Sequence, residues 1–478
     1  MTRSPIAILD RIFPRGALIL SFLSFVYFLV GIVRNRLLAN TFGTGRELDA
    51  YNAAFRIPEI ALDVLVAAGL TAPFVPIYSS LRRDDEDAAN DFARTVLTVA
   101  VVVMTVAILA IALAAPWLAT QIGAGFDGPT RERYVTLVRI NCLGQVLFAA
   151  SICLGEVLVA HRRFLSYALA PILYTAGIIG GTVLGAERFG IVATAWGAVA
   201  GACMHLGVRA IGTLRTSFRA RPAFRVRTPA FREFVRLMIP RMASHPIEPA
   251  IFTFFTALAS TIAVGGVSAV NFALDYQVVP VSLIGIAFSL AVFPTLSAAY
   301  ADRDPSTFRA VLGTNIVTIG ALTTLAAIAL FVGSGILVRV LLGGGRFGPE
   351  DVATTSAIVA AFAISVPFDA LAYPLSRGLY ATHDTIRQVI ASFIGFGTVL
   401  AASSALAPSL GLIAIPVGYA VGMAVKDVLL AIFLARRIRA MTKRPGQGRR
   451  TGRALRPGAF RAGPSRRRDC HARFEAEA

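Results

Sequence analysis

The sequence predicts an all-α polytopic membrane protein: about twelve transmembrane helices in two parallel six-helix repeats, then a disordered basic C-terminal tail. Three observations carry this. Of 478 residues, 56% are hydrophobic and only 15% charged, with mean hydropathy +0.69, whereas soluble globular chains carry about 25% charged residues. Apolar runs of about 20 residues, the length that crosses a bilayer, recur along the chain. Segments also return at a shift of about 220 residues. PFVPIYSSLRRDD (73–85) returns as AVFPTLSAAYADRD (291–304), and FGIVATAWGAVAG (189–201) as LGLIAIPVGYAVG (410–422). GAGFDGP (123–129) returns as GGGRFGP (343–349), and DAYNAAFRIP (49–58) lines up with NFALDYQVVP (271–280).

The expected spans are 17–38, 48–81, 92–114, 134–160, 166–186, 191–213, 234–264, 267–300, 308–342, 352–381, 386–406 and 411–437. Residues 1–16 contain Arg3, Arg11 and Arg15 but no apolar run and no small-residue cleavage site, so the first span reads as a retained helix rather than a signal peptide. Basic residues alternate between connections. The N-terminus, Arg82–Arg83, His161–Arg163, the 209–236 linker, Arg303 and Arg309, Arg387 and the tail fall on one side; the opposite loops are short or poor in positive charge. By the positive-inside rule both termini are cytoplasmic. Arg34 and Arg36 break the pattern at the outer end of span 1, which points to function rather than topology. Six spans per half return the chain to the same side. The halves, 1–220 and 221–438, are then parallel repeats about an axis along the membrane normal, an architecture of transporters.

The net charge of +19 sits in two places: +8 over 207–241 and +11 over 436–478. Basic segments beside membrane spans are the ordinary mark of cytoplasmic loops near anionic lipid, so they imply lipid contact, not nucleic acid. The four cysteines, Cys142, Cys153, Cys203 and Cys470, have no metal or redox spacing and read as small core residues. GAGFDG and GGGRFG match a dinucleotide fingerprint by letter, but neither follows a strand, and a Gly-rich turn before a helix accounts for both. No P-loop, H-E-x-x-H or G-x-S-x-G motif occurs, so the chain is read as no enzyme, with no metal site and no cofactor. His161 and His383 are expected to be exposed in loops. Prolines inside spans 2, 7, 8 and 10, among them Pro58, Pro73, Pro76, Pro280 and Pro374, read as kinks or as bending elements.

The informative stretch is 46–83. Asp49, Asn52, Arg56, Glu59 and Asp63 follow one another at spacings of 3, 4, 3 and 4, a single polar stripe on an otherwise apolar helix. Arg56, Glu59 and Asp63 facing hydrocarbon would together cost on the order of 8–10 kcal/mol. The stripe therefore faces protein or water, as a buried ionic cluster or as the lining of a wet cavity. Further polar residues fall within spans: Asn271, Asp275 and Gln277, Glu248, Glu156, Asp369 and Arg377, and Lys426–Asp427, the last pair expected to neutralise each other. Glu248 and Asp275 are expected to find cations across a helix interface, with Arg34, Arg36 and Arg56 available. Such arginines in a low-dielectric cleft would hold a diphosphate, and the acidic residues a coupling cation or protons.

The stretch GIVRNRLLANTFGTGRELDAYNAAFRIPEI, followed by GLTAPFVPIYSSL, resembles the MurJ/MviN family of the MOP flippase superfamily, exporters of the lipid-linked peptidoglycan precursor lipid II. The resemblance implies a V-shaped pair of six-helix lobes with spans 1, 2, 7 and 8 lining a cationic cavity. It also implies a membrane potential or ion gradient as the driving force. Arg34, Asp49 and Arg56 match family functional positions. Where the family commonly has a further arginine this chain has Phe28; the family's R-R-x-F-A-E-G-A segment is LDVLVAAG (62–69) here; and the arginine of its span-8 Asp-Arg pair is missing after Leu274-Asp275. The typical two additional C-terminal spans are absent.

The expectation is thus a flippase of the bacterial cytoplasmic membrane, moving a lipid-linked diphosphate by alternating access. Arg34, Arg36, Arg56, Asn52 and Asn271 would meet the headgroup. Asp49, Glu59, Asp63, Glu248 and Asp275 would hold the arginines or couple ion movement. A polysaccharide-lipid flippase, a MATE-like cation antiporter and a non-transporting scaffold are the alternatives.

Overall fold

A computed structural model of the chain describes residues 15–244 and 247–442. The N-terminal residues and the basic tail predicted as disordered, with Cys470, lie outside the described residues. Helices account for all twelve expected spans. The first repeat holds α1 (Arg15–Phe42), α2 (Arg46–Leu62) running through a π turn (Asp63–Ala67) into α3 (Ala68–Asp84), α4 (Glu86–Gln121), α5 (Gly128–Ala160), α6 (Phe164–Phe189) and α7 (Ile191–Leu214). The second holds α8 (Pro229–Ser244), α9 (Ile247–Ile262), α10 (Gly266–Pro280) running through a π turn (Val281–Ile286) into α11 (Ala287–Ala301), and α12 (Pro305–Leu341). It closes with α13 (Pro349–Ala363), α14 (Val366–Ala381), α15 (Thr385–Leu410) and α16 (Ala414–Thr442). Nine stretches of the described residues are long and apolar enough to cross a membrane, the last of them, Thr385–Met441, containing both α15 and α16.

Local chemistry explains the breaks. Asp85, Asp127 and Asp304 each accept backbone N–H bonds and start α4, α5 and α12. Both π turns follow a proline, Pro58 in the first repeat and Pro280 in the second. Proline offers no N–H to the preceding turn, and a widened turn re-seats the ladder after it. Each repeat thus has one π turn downstream of a proline.

Within each repeat the closest crossing is made by its last two helices. On α6 and α7, Gly177 and Gly181 face Gly201 and Gly197 so tightly that a methyl group at any of them would strike the opposing backbone. On α15 and α16, Gly418 and Gly422 lie against Ser403 and Val399 in the same way. Lipid gives no hydrophobic drive for helix association, so close approach through small residues supplies the contact energy. Cys142 and Cys153 are buried as expected; Cys203 is instead exposed, on the outer face of α7.

One end of the molecule carries the glycine-rich loops 43–45, 122–127, 263–265 and 343–348; the other carries the basic loops 161–163 and 382–384 and the linker 215–228. The linker lies along the start of α4: Arg94 donates to the Arg219 carbonyl (2.9 Å), the Ala223 N–H donates to Thr98 (3.1 Å), and Arg225 pairs with Asp91 (2.6 Å). The helix that follows it, α8, packs on α3 and α4 of the first repeat, while α9 packs on α10, α15 and α2. His161 is half-buried rather than loose: its Nε2 meets the Tyr78 hydroxyl (3.1 Å) and its Nδ1 meets Arg82 (3.0 Å). His383 is exposed.

Candidate functional site

The polar stripe of α2 runs along the seam between the repeats, and its members meet different fates. Asp49, nearest the glycine-rich end, is 2% exposed. Its Oδ2 accepts from the Gly265 N–H (2.6 Å); its Oδ1 accepts from the Ser268 N–H (2.8 Å) and hydroxyl (2.6 Å). These N–H groups belong to the N-terminus of α10, so a carboxylate from one repeat caps a helix of the other, at the positive end of its dipole. Asp49 was expected in the cavity beside the arginines; it is instead the centre of a seal. Gly265 permits this geometry: its φ is +83°, and any side chain there would strike the Thr44 backbone.

Other bonds close the same end. Thr44 donates to Asp351 in the first turn of α13, and the Arg346 N–H donates to the Asn40 carbonyl (2.8 Å). Oriented to satisfy its amide, Asn40 donates to the carbonyls of Leu342 (2.8 Å) and Gly344 (2.9 Å). Arg36 belongs here too, exposed and donating to the Val340 carbonyl at the end of α12. The sequence groups it with Arg34 and Arg56, but residues two apart on a helix point to different sides.

One turn below the seal, Asn52 donates to the Ser268 hydroxyl (3.3 Å). Below that, Arg56 spans the seam: Nε donates to Thr256 on α9 (3.2 Å), Nη2 donates to Asn271 on α10, and the guanidinium stands 6.0 Å over the Phe252 ring. A second link joins α1 to α10. Arg34 donates twice to the Asn35 carbonyl oxygen (3.0 and 2.8 Å), and the Asn35 amide donates to Asp275 (2.7 Å). Arg34 and Arg56 are half-buried, while Glu59 and Asp275 are exposed, and Asp63, in the π turn, is half-buried.

The exposed carboxylates do not face hydrocarbon. Glu59 is enclosed by protein at longer range and feels the charges of Arg56, Asp63 and Arg34; Asp275 feels those of Arg34 and Arg56. Water-accessible groups ringed by opposite charges from α1, α2 and α10 line a cleft. The stripe therefore passes from sealed at Asp49 to open at Glu59 within three turns. The side chain of Glu248 lies outside the described residues. No cluster of described residues could hold a metal ion.

Asn35, Thr256 and Ser268 went unnoticed in the sequence. A signal did exist for one: Ser268, Asn271 and Asp275 repeat the 3 and 4 spacing of the α2 stripe on the facing helix. Lys426 and Asp427 were expected to neutralise each other, and Lys426 does lie within electrostatic reach of Asp427 without touching it. They form no ion pair, and both Asp427 oxygens are buried without a hydrogen-bond partner.

Paired six-helix repeats, joined at one end and parted around a charged cleft, define a membrane carrier of the MOP superfamily fold. A solved lipid II flippase MurJ in an inward closed conformation superposes with TM-score 0.75 at 18% identity, covering 89% of this chain and 90% of that one. An inward-facing multidrug resistance MATE transporter gives TM-score 0.75 at 14% identity, covering 88% and 96%. The family model described as lipid II flippase MurJ matches residues 38–449, and the chain belongs to that family. The lipid II flippase MurJ of Burkholderia cenocepacia is 26% identical over 420 residues, 85% of this chain and 81% of its own.

Proposed function

We propose that this chain moves lipid II, the lipid-linked diphosphate precursor of peptidoglycan, across the bacterial cytoplasmic membrane by alternating access. In this reading the glycine-rich end is outside, the basic end and both termini are cytoplasmic, and residues 1–220 and 221–438 are the moving lobes. The exposed arginines of the linker, such as Arg221 and Arg227, and the tail would rest on anionic lipid. Family membership supports the substrate class. The observation that carries the site is Arg56 bridging the seam in a water-accessible cleft.

The neutral partners of Arg56, Asn271 and Thr256, are replaceable. A diphosphate offers the guanidinium charge-assisted, bidentate hydrogen bonds, roughly twice as strong as those to an amide or hydroxyl. Arg34 would exchange Asn35 for the same group. Capture of the headgroup then releases two contacts that tie the repeats together, so binding and loosening of the seam are one event. Asn52 and Asn271 would complete the headgroup contacts. Glu59, Asp63 and Asp275 keep the arginines oriented when the cleft is empty and weaken the hold on an anion, which favours release. They are also the groups through which a coupling cation or the membrane potential would act.

The test is translocation of a fluorescent lipid II analogue by the protein reconstituted in liposomes. Arg56→Ala should slow transport at least about tenfold, the loss of one charge-assisted contact being on the order of 1.5–3 kcal/mol. Arg56→Lys should rescue only part, because a point charge lacks the fork geometry. Wild-type transport by Arg56→Ala would overturn the assignment.

A further inference from the structure

A second cavity is lined by residues of the second repeat. It holds about 510 Å³ between α9, α11, α14, α15 and α16, within the roughly 300–1,000 Å³ of sites that take small molecules. Three charged side chains line it among the described residues: Asp369, Arg377 and Lys426. Asp369 is already engaged, its Oδ2 accepting from Gln277 Nε2 (2.9 Å) and the Tyr419 hydroxyl (2.9 Å). Among the described residues neither Arg377 nor Lys426 makes a hydrogen bond or ion pair, although Lys426 lies within electrostatic reach of Asp369 and Asp427. Asp427 adjoins Lys426 in sequence, but successive helix residues do not share a face, and Asp427 is no part of the lining.

The first repeat shows what these positions look like when they serve the fold alone. Arg162 and His383, which end the fourth span of each repeat with φ of 56° and 59°, fix the register at 383 − 162 = 221 residues. The packed glycines agree, Gly197 with Gly418 and Gly201 with Gly422. In that register Glu156 corresponds to Arg377, His205 to Lys426 and Arg209 to Leu430. In the first repeat the set is closed. Arg209 is 6% exposed, donates to the Ser151 carbonyl (3.0 Å), stacks 4.7 Å from the centre of the Tyr167 ring and lies within electrostatic reach of Glu156. His205 Nδ1 meets the Ser151 hydroxyl (2.8 Å). In the second repeat the carboxylate has become a guanidinium that lines the cavity, and the opposing arginine has become Leu430, buried among apolar side chains.

We propose that this cavity is an anion site for a phosphate group, with Arg377 as the forked donor and Lys426 as the point charge. An intramembrane cation is expensive, and such groups mark ligand sites; Arg377 pairs with no carboxylate among the described residues, and Lys426 has Asp369 and Asp427 only at longer range. Arg377, Tyr380 and Gln388 stand within about two turns of loop 382–384, so the anion enters from the basic end. Apolar walls such as Leu290, Phe293 and Phe396 would accommodate the first carbons of an acyl chain, so the phosphate is either a phospholipid headgroup or a free ion. None of the lining residues is a hydrogen-bond partner of Asp49, Arg34 or Arg56.

The experiment uses the full chain carrying Arg56→Gln, so that the seam contributes little, in nanodiscs of zwitterionic lipid. Calorimetry measures inorganic phosphate and pyrophosphate in one arm and dihexanoyl phosphatidic acid in the other. Saturable binding is expected in at least one arm: the inorganic arm identifies a free ion, binding in the lipid arm alone a headgroup. Arg377→Gln should weaken it at least tenfold, and so should Lys426→Gln. Arg377→Glu, which restores the carboxylate of the first repeat at this position, should keep the melting temperature and lose binding. No saturable binding in either arm, or undiminished affinity in these variants, overturns the proposal.

Discussion

Replacing Asp49 should open the glycine-rich end. Its carboxylate holds three donors of the second repeat, two of them N–H groups at the start of α10. Net contributions of hydrogen bonds to charged groups are about 1.5–3 kcal/mol each, but water reclaims the donors once the repeats part, so the sum overstates the bias. About 3 kcal/mol is a fair figure for the whole cap, near the upper range of helix caps plus dipole. That corresponds to roughly a hundredfold shift of the closed-to-open ratio. Asp49→Ala should show the full shift. Asp49→Asn should show about half, since its amide keeps one accepting oxygen and turns an N–H₂ toward donors. Spin labels at Arg188 and Glu350, exposed residues near this end of each repeat, would report it by pulsed electron resonance. The wild type should give one short distance, Asp49→Ala a dominant longer one. An unchanged distance distribution in Asp49→Ala would refute the idea that this carboxylate holds the end shut.

Two further outcomes follow from packing and titration. Gly201→Val and Gly422→Val should each lower the melting temperature in detergent, overpacking costing roughly 1–3 kcal/mol, because both glycines abut the preceding helix of their repeat; equal stability to wild type would contradict the close crossing. Burial, then the Arg82 guanidinium, holds the His161 ring below its ordinary value. The unfolded chain therefore binds more protons between the lowered value and about 6.5. Stability from this group is complete above that window and lost as pH falls through it. Thermal unfolding between pH 7.5 and 5 should show less decline in His161→Gln than in wild type, and parallel curves would exclude the effect.

Periodicity made the architecture readable, and it failed where one side chain has to choose a partner. Long apolar runs, internal similarity and in-span prolines are properties of segments, and all survive in the fold. The α2 stripe was also legible as a stripe. Its division was not. Asp49, Arg56 and Glu59 lie on one face, yet only the approach of loop 263–265 at one end and the parting of α1, α2 and α10 at the other make the first a cap and the last a cleft wall. Arg36 shows the opposite error, since its nearness in sequence to Arg34 hid a difference in direction. Lys426 and Asp427, adjacent in the chain, interact only at a distance, and both Asp427 oxygens are buried without a hydrogen-bond partner. Asn35 could not have been singled out, because its role exists only in the gap between Arg34 and Asp275.

The two ends of the seam are held by different physics, and that difference suits a carrier. At the glycine-rich end the contacts are directional: a capped helix, the Thr44–Asp351 bond and backbone pairing between residues 40 and 346. Such contacts weaken steeply with misalignment, so this end is either latched or free. At the basic end α8 lies on α3 and α4 through apolar groups: Phe234 meets Phe92 edge-on with ring centres 5.8 Å apart, and Gly69 leaves room for Met238. Burial of that kind is non-directional and roughly proportional to area, so α8 can slide while staying covered. Between them, a π turn follows Pro58 on one cleft-lining helix and Pro280 on the other. On the proposed reading, a headgroup drawing Arg56 away from Asn271 and Thr256 would loosen the seam one turn below the Asn52–Ser268 contact and two below the latch. The polar row on α2 would then couple occupancy of the cleft to the contacts whose failure is abrupt.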